Sequence, residues 1–151
     1  MSSETALNRS RHMKIVQKVV ALAAALFGLL TIIAGARVLV GFHPGYIVFW
    51  PLLIYNTAMG IAYVAAGVIA WRNVKQGKYA AVAIFVFNLL VLGIIGYLYM
   101  AGSSVAMESL RAMTFRTVVW LLLFLGLEWV DSKNAVRRGQ VYFLDMEQQQ
   151  L

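Results

Sequence analysis

A chain of 151 residues that is 62% hydrophobic and only 13% charged lies outside the range of water-soluble domains, in which about a quarter of residues carry charge. Its net charge of +7 and pI near 10.0 would suit a nucleic-acid partner, but a mean hydropathy of +0.76 makes an integral membrane protein the reading that composition supports. Cysteine is absent, which excludes disulfides, thiolate metal ligands and thiol redox chemistry, including that of a quinone-linked disulfide enzyme.

Taken in chain order, a basic N-terminal segment with Arg9, Arg11, Lys14 and Lys18 leads into a first apolar run over 15–40. Residues 19–33, followed by Ala34, Gly35 and Ala36, have the look of a signal peptide with a small-residue cleavage site. The run is long for a signal, so we read it as a retained helix. Small residues at Ala21, Ala24, Gly28, Thr31 and Gly35 alternate at spacings of three and four, which keeps one stripe turned toward a partner helix in a left-handed crossing. The loop after it contains His43, and Pro44 with Gly45 predicts a tight turn.

A second run covers 47–71 and carries Asn56, Gly60 and Gly67 on one stripe. Arg72, Lys75 and Lys78 then separate it from a third run over 79–100, where Gly93 and Gly96 are expected at a seam. The fourth run, 106–129, has Ser109 and Ala112 near its start as further small packing residues. Each run exceeds the 18 or so apolar residues needed to cross a bilayer about 30 Å thick, and lipid requires each to satisfy its own backbone as a helix. The expected fold is therefore all-α, a transmembrane four-helix bundle forming a single domain over 1–130. Residues 131–151, with an apolar cluster at 141–144 and glutamines at 148–150, read as a loosely held cytoplasmic tail.

Orientation follows from the lysines and arginines, since basic loops stay inside. Ten of the 13 cluster before the first run, between the second and third, and after the fourth. All three segments fall on one side of a four-helix protein, so both termini are expected in the cytoplasm. Topology then accounts for the basic pI without any nucleic acid, and membrane lipids become the first partner. Tyr46, Trp50, Tyr97 and Tyr99 at one boundary, and Trp71, Tyr79 and Trp129 at the other, are placed as interfacial anchors.

Chemistry is sparse. There is no paired carboxylate, phosphate loop or HExxH, and Ser103, Ser104, Glu108 and His43 share a side without forming a triad. No catalytic residues and no cofactor are assigned. His43 with Met100, Met107 and Met113 is a soft donor set of the kind Cu(I) prefers, but one histidine and scattered methionines make a poor motif, so no metal site is assigned. Haem normally needs facing histidines, and His12 lies at the opposite face.

The polar residues inside the runs are more telling. Asn56 is ten residues below Tyr46 and Asn88 nine above Tyr79, about 15 and 14 Å in helical rise, so both fall near the midplane. Arg116 is twelve residues, about 18 Å, from Glu128 and therefore within the outer half of the hydrocarbon. An arginine there costs about 2.5–3.5 kcal/mol. Tyr55, Asn56, Asn88, Glu108, entering water or an anionic ligand could offset that cost, as could snorkelling toward backbone carbonyls. Glu108 and Arg111 are spaced to pair with each other. The candidate ligand-binding set is Arg116, Asn56, Tyr55, Asn88, Glu108 and His43.

The segments His43-Pro44-Gly45-Tyr46, Tyr55-Asn56 with Met59-Gly60, and 105–120 through Ala112-Met113-Thr114-Phe115-Arg116 resemble those of small bacterial membrane proteins with four predicted helices, loosely similar to the DoxX-like proteins. The resemblance covers about 41–120 and implies a four-helix fold and a bacterial inner membrane, with no activity attached. It also implies a histidine at the position that holds Asn88 here, so no metal or proton role carries over to that residue. Two functions follow as expectations. The first is a non-catalytic membrane component or accessory subunit that packs as a homo-oligomer or with a larger complex. The alternative is a small-molecule binder or transporter with a polar pocket around Arg116 for an anionic or carbonyl-bearing molecule.

Overall fold

The structure, a computed structural model, describes residues 3–43, 45, 48–103 and 105–148, with side chains described between 11 and 136. Pro44, Tyr46, Ser104 and the glutamines at 149 and 150 lie outside the described residues, and so do the side chains of 141–144. Among the described residues there are four helices: α1 Ser3–Leu39, α2 Trp50–Arg72, α3 Val74–Met100 and α4 Met107–Gln148. Within them the stretches Arg11–Leu39, Trp50–Arg72, Val74–Met100 and Met107–Val136 are long and apolar enough to span a membrane.

At the end of the bundle that carries the Asn73 break each helix passes its apolar run, α1 from Ser3, α2 to Arg72, α3 from Val74 and α4 to Gln148, whereas at the other end α2 starts inside its run, at Trp50, and the remaining ends fall within a residue of theirs; hydropathy marks only what lipid tolerates, whereas a helix needs only compatible backbone. Thus α4, 42 residues long, continues as far as Gln148 through the segment read as a tail; that segment contains no proline to stop it. The expected basic loop between the second and third runs is a single residue. Asn73 is extended (φ −144°, ψ 110°), ends α2, and caps α3 through Oδ1, which accepts from the backbone N–H groups of Lys75 and Gln76 at 3.0 and 3.3 Å. At the other end of the bundle, Pro51 in the first turn starts α2, and Gly102, at φ +79°, lets the chain turn out of α3.

Consecutive helices pack antiparallel in a ring, with α1 against α2 the most extensive contact and α1 against α4 the least. The α1 stripe faces inward along its whole length: Ala21, Ala24, Gly28, Thr31 and Gly35 are all buried. A Cβ on Gly28 would lie 2.7 Å from Val64 N and 2.8 Å from Gly60 O, and one on Gly67 2.7 Å from Ala25 N. Those backbones touch, and only glycine permits it. Gly93 and Gly96 correct the expectation for α3, since neither has any atom within 4 Å of an added Cβ; they lie on an outer face, not in a seam. Gly77 takes the role instead: a Cβ added there would lie 2.5 Å from Ala70 Cα at the α2–α3 break.

Two apolar clusters fill the ring. One, near the termini, gathers Ala21, Ala66, Ile84, Trp120, Leu123 and Leu127 among others; the second, near the α1–α2 and α3–α4 loops, consists of Leu52, Ile95, Val105 and Met113. Outer faces are apolar as well, as with Leu30, Ile61 and Leu122, each more than 60% exposed. Such an outside suits lipid, not water.

At the end that carries the Asn73 break, Lys78 Nζ lies 2.7 Å from Asp131 Oδ2 and 3.1 Å from Glu128 Oε2, joining α3 to α4. On the other side Gln17 Nε2 donates to the last carbonyls of α2, Ala70 O at 2.8 Å and Trp71 O at 3.3 Å, and Lys18 sits over the Trp71 ring at 5.2 Å. The Lys78 and Asp131 side chains are only 17% and 15% exposed, between the surface and buried regimes of ion pairs. Lys78→Met is therefore expected to lower stability by about 1–2 kcal/mol, measured as an earlier SDS-unfolding midpoint in detergent; an unshifted midpoint would show that the bridge adds nothing.

Candidate intramembrane binding site

Between the two apolar clusters runs a polar layer. Asn88, wholly buried, accepts with one oxygen from two hydroxyls, Tyr63 Oη at 2.8 Å and Tyr55 Oη at 3.2 Å. Tyr55 and Tyr63 are eight residues apart on α2, a little over two turns, so both rings lean toward α3. Tyr63 is then fixed from three helices: by two rings, Phe27 of α1 at 5.9 Å and Trp120 of α4 at 4.8 Å between centroids, and by Asn88 of α3 at its hydroxyl. Asn88 Nδ2 and Trp120 Nε1 are buried without a hydrogen-bond partner.

Arg116 lies one turn above Trp120 and is half-buried. Its side chain lines a cavity of about 110 Å³ between α1, α2 and α4. Thr31, Asn56, Ser109 and Arg116 supply the polar lining; Ala34, Gly35, Leu52 and Ala112 are among the apolar lining residues. The cavity exists because the facing residues of α1 and α4 are small. Ser109 and Ala112, expected to pack a seam, border this gap instead. Thr31 turns its hydroxyl to Phe27 O at 2.8 Å. Asn56 holds Oδ1 buried with no hydrogen-bond partner.

The six candidate residues therefore separate. Arg116 and Asn56 meet at the cavity. Tyr55 and Asn88 belong to the adjoining bonded layer, and Asn88 does not line the cavity. His43 is exposed, with Nδ1 3.0 Å from Gly41 O, and Glu108 is exposed at the first turn of α4; neither lines the cavity. The expected pairing of Glu108 with Arg111 is not formed: both are exposed, and no ion pair joins them. Among the described residues no three of His, Asp and Glu gather as metal ligands. Met113 is buried in the loop-end cluster, whereas Met100 is 88% exposed.

Sequence reasoning missed Tyr63 and Trp120, the rings that hold the layer together. The eight-residue spacing from Tyr55 to Tyr63 was the available signal.

No family model matches the chain. No curated protein and no solved structure is significantly similar to it, so nothing in these comparisons bears on the DoxX-like resemblance, and the cavity itself has to carry the functional reading.

Proposed function

We propose that the chain is a multi-pass protein of the bacterial inner membrane, both termini cytoplasmic, that binds a small molecule bearing an anionic or carbonyl oxygen in the cavity whose floor Arg116 lines. One observation carries this reading: Arg116 and Asn56, two polar residues from different helices, line the same cavity. A guanidinium offers five donors and no acceptor, and in a water-poor site its bonds to an anion are the strong kind. With the basic segments inside, the cavity lies in the extracytoplasmic half. The other expectation, a non-catalytic component that packs with itself or a larger complex, has no comparable observation in its favour, and no catalytic step is assigned.

Native mass spectrometry of protein extracted from its own membrane tests the reading. Wild type is expected to carry a small-molecule or lipid adduct that Arg116→Met loses, with affinity lowered by about tenfold to a hundredfold for one charge-assisted contact set; Arg116→Lys is expected to keep part of it. No adduct on wild type, or one indifferent to Arg116→Met, would overturn the reading.

A further inference from the structure

The cavity is not equally walled on all sides. Of its lining residues, Ala34 on α1 and Ala112 on α4 are exposed, whereas the remainder are buried or half-buried. Both alanines lie five residues inside their helix ends, at Leu39 and Met107, about 8 Å down the bundle. The opening is thus on the flank between α1 and α4, the least extensive of the four helix contacts. Val48 and Phe49, just before α2, line the cavity on the side of the loops and are half-buried. Below the opening the two helices close again through the Phe27 and Phe115 rings, 6.0 Å apart.

What surrounds this opening is apolar. Leu30 precedes Ala34 by one turn and is 64% exposed; Phe115 follows Ala112 by three residues and is 62% exposed. Residues at these spacings share a face, so an apolar track runs down the outside of the bundle from the mouth. Above it, Arg37 lies on the Ala34 face and is exposed, its guanidinium 4.7 Å from the Phe42 ring centroid. A cation at that depth attracts anionic amphiphiles. The cavity, at about 110 Å³, is smaller than the roughly 150 Å³ that encloses a benzene, so it can hold a head group and little more.

Resting on the binding reading above, we propose that the ligand is a single-chain amphiphile with a carboxylate head, which enters sideways from the bilayer between Ala34 and Ala112. Its head meets Arg116, and its tail stays outside along Leu30 and Phe115. A carboxylate fits the guanidinium as a fork, and a route through the flank spares the head a passage through the loop end.

The probes are dodecanoate, which partitions into lipid, and acetate, which carries the same head without a tail. Binding to the full chain in zwitterionic lipid nanodiscs is read by native mass spectrometry. Dodecanoate is expected to bind wild type, to be lost from Arg116→Met, and to weaken by about tenfold or more in Ala112→Trp, with Ala34→Phe as a second plug; acetate in large excess is expected not to displace it. Both plugs replace exposed alanines, so circular dichroism is expected to report an unchanged fold. If acetate displaces dodecanoate, or the plugged variants bind it as wild type does, the lateral route is wrong while the binding site stands. If neither acid binds wild type, the carboxylate assignment falls with the route; should the native-membrane extract also carry no Arg116-dependent adduct, the binding reading falls too.

Discussion

Gly28→Val is expected to force α1 and α2 apart and to cost at least about 3 kcal/mol, the upper range for overpacking a close contact. The reason is what an added carbon would meet: Val64 N at 2.7 Å, Gly60 O at 2.8 Å and Tyr63 Cβ at 2.8 Å. Two of these atoms are backbone, so no rotamer change relieves the clash. Tyr63 is the third, which couples the seam to the polar layer, and displacing it would also disturb the hydrogen bond to Asn88. SDS titration in detergent, followed by circular dichroism, measures the effect, with Gly96→Ala as the control. Gly96 has open space around it, and alanine is the better helix former by up to about 1 kcal/mol. The control is expected to match or exceed wild type; equal midpoints for the two variants would refute the assignment of the seam.

Replacing Asn88 by leucine is expected to lower stability by about 2 kcal/mol or more. Two hydroxyls, Tyr63 Oη in a buried bond and Tyr55 Oη in a part-buried one, share its oxygen. A made hydrogen bond is worth little net, but a buried group left without one costs about 1–3 kcal/mol. That asymmetry supplies the test. Adding Tyr55→Phe and Tyr63→Phe to Asn88→Leu removes the stranded groups, so the triple variant is expected to recover most of the lost stability. If it is no better than Asn88→Leu alone, the loss came from packing and not from the hydroxyls.

The α1 stripe was legible because small residues alternating by three and four define a face whatever surrounds them. On α3 the same logic failed: Gly93 and Gly96 are two glycines in an apolar helix, and without polar residues to mark an outside, their spacing cannot say which way they point. Lys78 was legible as a charge at the membrane rim but not as the partner of Asp131 and Glu128, which are some 50 residues away and come near only when α3 and α4 pair. Arg116 was conspicuous for its cost in lipid. Asn56 and Asn88 looked equivalent beside it, both polar and both mid-span, yet one lines the cavity and the other is enclosed by tyrosines, because each helix is rotated by its packing and not by its composition.

Length and hydropathy alone therefore determined four membrane-length helices, since rise per residue and the ban on unpaired backbone in lipid leave no other structure for such runs. The spacing of the polar residues along each helix also followed, because rise is a property of a single helix. Rotation and proximity did not. The meeting of Arg116 with Asn56, the Tyr–Asn layer and the opening between α1 and α4 are sums of close contacts between residues distant in sequence, and those sums exist only once the small residues have let the helices touch.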